Sequence, residues 1–216
     1  MKFGIGQPLT RVEDTRLLTG NGLYTDDISF EDQSYMYILR SPYANAKIID
    51  INLADCENLP GLIKIINWED IEKLSINPMK TTFLVKNKDG NEMTDTPRHI
   101  LAKTFVRYVG DPILAIIAES LEIAENAAEK ITINYEEFDS ITDVSSAIKS
   151  NAVIVRNELS NNICFDWELG NKEETQKSIN ESAFKISIEL INNRLIPNPM
   201  ECRSTIGIYD NDTDEY

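Results

Sequence analysis

Histidine is nearly absent from this chain, which has one, His99, in 216 residues. A histidine-based metal cage or a Ser-His-Asp triad is therefore poorly supplied, and His99, after Thr96-Pro97-Arg98 in a polar stretch, reads as a loop residue. The three cysteines, Cys56, Cys164 and Cys202, are odd in number and widely spaced. They build neither a disulfide framework nor a paired zinc knuckle, and a reducing compartment, the cytoplasm, suits them best. Long apolar runs are missing too. The longest strongly apolar run, Ile113 to Ala118, is far too short to cross a bilayer, and Met1 to Pro8 has no apolar signal core. The sequence predicts a soluble protein without membrane insertion. Basic residues are scarce: 21 Lys and Arg stand against 36 Asp and Glu, for a net charge of -15. They are scattered singly, so the local basic stripe that a nucleic-acid role needs does not occur in the sequence. The acid is densest at Asp210-Asn-Asp-Thr-Asp-Glu215, which reads as a solvated end.

Turn formers and alternating apolar positions are what the chain does have. Gly4, Gly6, Pro8, Gly20 and Gly22 punctuate residues 1 to about 33, which predicts an extended arm lying on other structure. Strands are predicted at Tyr35 to Arg40, around Ile49, Ile51 and Leu53, at Leu62 to Ile66, at Phe105 to Tyr108 and at Ile113 to Ala118. Pro60-Gly61 and Gly110-Asp-Pro112 read as turns, Asp89-Gly90 as a hairpin signal within an irregular excursion from Ile76 to Lys103, and Trp68 to Lys73 as a short helix. A longer helix starts after Ser120, with Ala124, Ala127, Ala128 and Ile131 on one face, and leads into a strand through Ile133 and Tyr135. A boundary is expected near Thr142 to Ser150. Beyond it, Glu173 to Ser182 reads as helix, while Phe184 to Leu190 and Ile206 to Tyr209 read as strands. Strands interrupted by few helices make an α+β pattern rather than a βαβ series.

Chemistry is thinly represented. Gly4-Ile-Gly6 and Gly20-Asn-Gly22 lack the third glycine and the flanking helix of a phosphate loop. Asp26-Asp27 and Glu136-Glu137 are paired carboxylates of the kind a hydrolase uses, although adjacent acids on a strand point to opposite faces. Arg11, Glu13, Asp14 and Arg16 could pin the arm by ion pairs, and Arg40, at a strand end, could bridge carboxylates or backbone carbonyls across an interface. In Pro197-Asn-Pro-Met-Glu-Cys-Arg203, two prolines restrict the backbone and present Glu201 and Arg203 in a fixed orientation. That arrangement suits either site residues or a rigid turn with an ion pair.

Four phrases taken in order carry a family signal: Arg11-Val-Glu-Asp-Thr-Arg-Leu-Leu-Thr-Gly-Asn-Gly-Leu-Tyr-Thr-Asp-Asp27, Leu39-Arg-Ser-Pro-Tyr-Ala-Asn-Ala-Lys-Ile48, Val106-Arg-Tyr-Val-Gly-Asp-Pro-Ile-Leu-Ala-Ile-Ile-Ala-Glu119 and Asn193-Arg-Leu-Ile-Pro-Asn-Pro-Met-Glu-Cys-Arg203. Together they resemble the amino-terminal part of the large subunit of molybdenum hydroxylases, the family of aerobic carbon monoxide dehydrogenase, xanthine dehydrogenase and aldehyde oxidase. Tyr43 and Asn45 stand where that family commonly has histidines, Glu137-Phe-Asp-Ser140 replaces a proline-bearing phrase, and Cys202 and Ser204 replace proline and glycine.

The resemblance implies a hammerhead-like α/β domain over residues 1–150, including the arm. It implies the first elements of an incomplete molybdopterin-binding domain over residues 151–216. The complete subunit would carry molybdenum on a pterin and oxidise a C–H bond or carbon monoxide with water as the oxygen source. Iron-sulphur clusters and FAD would lie on partner subunits or domains. Glu201 corresponds to a glutamate that faces the substrate pocket in purine-oxidising relatives, with Arg203 beside it. The glycine-rich pterin loops and the carboxyl-terminal catalytic glutamate have no counterpart here, so this segment alone is expected to hold no cofactor and to be inactive. Two alternatives remain at this stage: a free-standing interaction or assembly module, and an unrelated acidic hydrolase using Asp26, Asp27, Glu136 or Glu137.

Overall fold

The computed structural model describes residues 6, 8–156, 159–193 and 195–216. The chain divides into two compact units, one formed by Ser34–Ile186 and the other by Met1–Gln33 with Ser187–Tyr216.

The larger unit is built on two three-stranded antiparallel sheets. In the first, β5 (Pro112–Ala118) lies between β1 (Tyr35–Arg40) and β3 (Leu62–Ile66). In the second, β2 (Ala46–Asn52) lies between β4 (Phe105–Val106) and β6 (Thr132–Glu137). The near-continuous apolar run of β5 has its physical reason in this placement. Ile113, Leu114, Ala115, Ile116 and Ala118 are all buried, so both faces of the strand are covered. Pairing registers shift by one residue at Leu39/Arg40, between Ile48 and Asp50, and between Leu62 and Lys64. Each is a bulge that re-aims the side chains beyond it.

Helix α3 (Leu121–Lys130) is capped by Ser120, whose hydroxyl accepts the Ile123 N–H at 3.2 Å. It packs on β1 and β5 through Ala124, Ala127 and Ala128, which are small enough for close approach to the sheet. Those alanines, with Cys56, Ile116 and Ala118, form one core cluster. Ala46, Ala102, Val106, Ile113 and Leu114 form the other. Leu39, Leu53, Ile65 and Ile131 pack against both.

The short helix α2 (Trp68–Lys73) begins with a reciprocal cap: the Asn67 side chain accepts from the Glu69 and Asp70 N–H groups, while Asp70 accepts from the Asn67 N–H. The Asp89-Gly90 turn forms as the sequence predicts. Gly90 sits at φ +86°, Asn87 N–H donates to Asn91 O at 2.7 Å, and Lys86 bridges to Glu92. Farther along, α4 (Val144–Ala147) falls at the boundary expected from sequence, and α5 (Lys172–Glu181) realises the last predicted helix. Residues 151–186 group with the larger unit.

Two strand expectations fail among the described residues. Phe184 to Leu190 and Ile206 to Tyr209 form no named strand, because a strand needs a hydrogen-bonding neighbour and no described segment supplies one. The strand expected over Phe105 to Tyr108 ends at Val106. Arg107 N–H turns instead to the Asp111 carboxylate at 2.9 Å and closes the loop. In the smaller unit the arm is not wholly extended: it carries α1 (Asp14–Leu18) and a 3-10 turn at Thr25–Asp27, and near the far end Asp210 bridges to Glu215. The predicted Gly4 turn and Arg194 lie outside the described residues.

Candidate functional site

The Pro197 to Arg203 segment lies in the smaller unit, where Glu201, Cys202 and Arg203 are all exposed. The ion pair that spacing allowed between Glu201 and Arg203 does not form among the described residues, so the two prolines rigidify the segment without joining these side chains.

The carboxylate pairs do not converge either. Asp27 accepts the Tyr24 N–H at 2.9 Å as part of a turn cap. Glu136 and Glu137 are exposed neighbours on β6, opposite Lys47 and Ala46. No group of three or more His, Cys, Asp or Glu side chains among the described residues is placed to hold a metal ion. The ion-pair network expected for Arg11, Glu13, Asp14 and Arg16 is replaced by a local contact, Arg11 N–H to Asp14 Oδ2 at 3.1 Å. A five-residue helix gives these side chains little to span.

The most organised polar constellation joins two of the four phrases in the larger unit. The bulge at Leu39/Arg40 aims the Arg40 guanidinium at the loop after β4, where Nη1 donates to Gly110 O at 3.0 Å. Gly110 sits at φ +93°, where a side chain would be strained. Its N–H donates to Ser41 O at 2.8 Å, and Ser41 N–H donates in turn to Asp111 O at 2.9 Å. The Arg107 guanidinium donates to Val155 O, and that of Arg156 to Pro97 O. Asp111 is therefore the hub of a knot that ties the β1 end, the 107–111 loop and residues 155–156 together. Burial pushes its carboxyl above the ordinary value, opposed by the Arg107 N–H, Tyr108 and the charges of Arg107 and Arg156.

The sequence suggests that Arg40 bridges carboxylates or carbonyls across an interface, whereas it reaches a carbonyl of its own unit, and Asp111, Arg107 and Asn162 are not singled out by sequence. Asn162 donates to Ala147 O and Val153 O and accepts from Val155 N–H, ordering the segment after α4. Its only sequence signal is an asparagine in a polar stretch, which is too common to read. Tyr43 and Asn45, the positions at which the resemblance implies histidines, make structural contacts. The Tyr43 ring lies 4.9 Å from that of Tyr135, and buried Asn45 donates to Asp139 O at 2.8 Å while its Oδ1 has no hydrogen-bond partner.

Two shallow hollows lie on the surface of the larger unit. One, of about 150 Å³, is lined by Trp68, Glu72, His99 and Lys103 among others. Lys103 already pairs with Glu72 at 3.1 Å and lies 4.0 Å above the Trp68 ring. The other, of about 230 Å³, lies between Asn87–Asp89 and Asn161–Asp166.

Residues 19–139 match the model of the family described as aldehyde oxidase and xanthine dehydrogenase, a/b hammerhead domain. The chain belongs to that family. The match takes in all six strands and α3, and the α+β architecture of two antiparallel sheets is that of the hammerhead domain. The nicotine 6-hydroxylase large subunit of Paenarthrobacter nicotinovorans is 34% identical over 151 residues, covering 69% of this chain and 18% of that protein. The carbon monoxide dehydrogenase large chain of Afipia carboxidovorans is 23% identical over 219 residues, covering 96% of this chain and 26% of that one. Among solved structures, quinoline 2-oxidoreductase from Pseudomonas putida 86 superposes with a TM-score of 0.62 at 32% identity, over 76% of this chain and 20% of its own. The hammerhead chain thus spans only 18% to 26% of the length of these relatives. No described helix is long and apolar enough to cross a membrane.

Proposed function

We propose that the chain is the amino-terminal part of the large, molybdopterin-binding subunit of a molybdenum-dependent hydroxylase or dehydrogenase of the carbon monoxide dehydrogenase kind. In this reading it supplies scaffold and subunit contacts, and its partners are the remainder of the large subunit and the iron-sulphur and FAD subunits. Residues 1–150 are the arm and hammerhead, and residues 151–216 open the molybdopterin-binding domain. The segment alone holds no cofactor and is inactive, and the assembly works in the cytoplasm.

The observation that carries this reading is the state of Phe184 to Leu190. Phe184, Ile186, Ile188 and Leu190 alternate with polar residues as a half-buried strand does, yet each is 73% to 92% exposed. A row of apolar side chains left in water marks a surface that another polypeptide covers. Glu201 and Arg203, on the proline-bounded segment that follows, are then the residues of this chain proposed to face substrate in the complete enzyme.

The test is co-expression of the tagged chain with the remainder of such a large subunit and its partner subunits, followed by molybdenum analysis. The expected result is a molybdenum-containing complex that includes this chain. A complex that assembles and loads normally without it refutes the reading. In the same complex, Glu201→Gln should change kcat/KM differently for different substrates, and a uniform effect would remove Glu201 from the substrate site.

A second reading has one observation in its favour. Ser34–Ile186 contains both core clusters and has the makings of an independent fold, as a free-standing assembly module requires. That reading expects the purified chain to bind iron-sulphur or FAD subunits with no large-subunit remainder present.

A further inference from the structure

We infer that Asn21-Gly22 is a site of spontaneous covalent modification, at which the asparagine carboxamide cyclises onto the main chain and opens to aspartate and isoaspartate. The inference is independent of the scaffold reading above. Gly20-Asn-Gly22, which lacks the features of a phosphate loop, contains the only Asn-Gly dipeptide in the chain. The reaction needs the amide nitrogen of the following residue to approach the asparagine Cγ. Glycine presents no Cβ to block that approach and reaches backbone conformations that other residues avoid. Every other asparagine in the chain is followed by a residue with a side chain.

The structure leaves both reacting groups available. Helix α1 ends just before the dipeptide in a Schellman-type turn: Gly20 sits at φ +74°, its N–H donates to Leu17 O at 3.3 Å, and Asn21 N–H donates to Arg16 O at 2.9 Å. The helix-end bonds stop there, and the Gly22 N–H has no hydrogen-bond partner among the described residues. Asn21 is exposed, and its carboxamide is restrained by one contact, Nδ2 to Thr19 Oγ1 at 3.0 Å. A bond between two exposed groups exchanges readily for bonds to water. Asp89-Gly90 is the internal contrast. There the Gly90 N–H donates to Asn87 O at 2.9 Å, and the two Asp89 carboxylate oxygens accept from Asn91 at 3.0 and 3.1 Å, so nucleophile and electrophile are both engaged.

In the reaction, solvent base takes the Gly22 N–H proton and the nitrogen bonds to Asn21 Cγ. The Cγ–Nδ2 bond then breaks, and Nδ2 leaves as ammonia with a proton returned from solvent. Water opens the resulting cyclic imide at either carbonyl. Cleavage of the new nitrogen–Cγ bond leaves an aspartate in an ordinary main chain. Cleavage of the original peptide bond leaves isoaspartate, with the main chain routed through Cγ and lengthened by a carbon. Either path consumes one water, releases one ammonia, involves no oxidation or reduction, and adds one negative charge directly after α1.

The test incubates the purified full chain at neutral and mildly alkaline pH and follows it by isoelectric focusing, ammonia release and peptide mapping with fragmentation that separates aspartate from isoaspartate. The expected result is a species one charge more acidic than the starting chain, mapped to Asn21 as a mixture of aspartate and isoaspartate, with one ammonia released per molecule converted. Its formation should quicken by up to about tenfold per pH unit, because the attacking nitrogen must be deprotonated. Asn21→Gln, whose longer side chain has to close a larger ring, should abolish the species, and Asn21→Asp marks where the aspartate product focuses. Equal urea midpoints for the wild type and both variants show that all are folded. A charge that stays unchanged overturns the inference, as does conversion of another asparagine ahead of Asn21. Aspartate without isoaspartate at Asn21 overturns the cyclic route, and isoaspartate at Asp89 appearing as fast as at Asn21 overturns the role given to the free Gly22 N–H.

Discussion

Gly61 offers a test of the packing between α3 and the first sheet, because two separable effects meet there. Its φ of +79° is a region that disfavours a side chain, and an added Cβ would sit 2.7 Å from Ile123 Cδ1 and 3.1 Å from Glu119 Oε2. The backbone effect of Gly61→Ala should be about 1–2 kcal/mol. Displacing the end of Ile123 from its rotamer adds about 0.5–1.5 kcal/mol, since Cδ1 terminates a flexible side chain. The whole change should therefore destabilise the chain by about 1.5–3.5 kcal/mol. Ile123→Val removes the clashing atom, at a loss of about 0.5–1.5 kcal/mol of its own. In that background Gly61→Ala should cost only the backbone share. Urea unfolding of the full chain, followed by the fluorescence of Trp68 and Trp167, gives all four corners of the cycle. Equal costs in both backgrounds refute the steric contact, and a cost below about 0.5 kcal/mol refutes the backbone reasoning as well.

Three further predictions draw on other parts of the larger unit and on the cysteines. Asn67→Ala removes the acceptor for the Glu69 and Asp70 N–H groups and should destabilise by about 1 kcal/mol by urea unfolding, with Asn67→Asp close to wild type. Asp111 binds its proton more tightly in the fold than in the unfolded chain, so its contribution to stability rises as pH falls through its folded pKa and is lost above it. Asp111→Asn should then gain thermal stability relative to wild type at neutral pH, with the gap closing on acidification, and a gap that widens in acid contradicts this sign. Under native labelling read by mass spectrometry, exposed Cys202 should alkylate fast and half-buried Cys164 more slowly. Cys56 should alkylate only on unfolding, since it is fully buried, its thiol is pushed up by burial and its Sγ donates to Leu53 O. Labelling of Cys56 at the rate of Cys202 would mean that the first core cluster opens readily.

Much of the hammerhead was legible because its signals are local. The strands β1 and β3, the Ser120 cap with its alanine face, and the Asp89-Gly90 turn each depend on a few adjacent residues, and each formed where expected. The strands that failed needed something no local pattern contains. Ile206 to Tyr209 and Phe184 to Leu190 alternate well, but alternation reports a preference and pairing requires a neighbour. The Asp111 knot was invisible for a related reason: it joins residues 40–41, 107–111 and 155–156, separations that spacing cannot reveal. Glu201 and Arg203 were nominated from family resemblance and backbone restriction, and both stand exposed on the segment that carries them.

Leu39, Leu53, Ile65 and Ile131 each touch both core clusters, so neither sheet has a private interior. Loosening one strips apolar cover from the other, and the pair should behave as a single foldon. In native-state hydrogen exchange, the central amides of β2 and β5 should open with one shared free energy, well above that of the peripheral turns. A partner gripping either sheet would thus steady both.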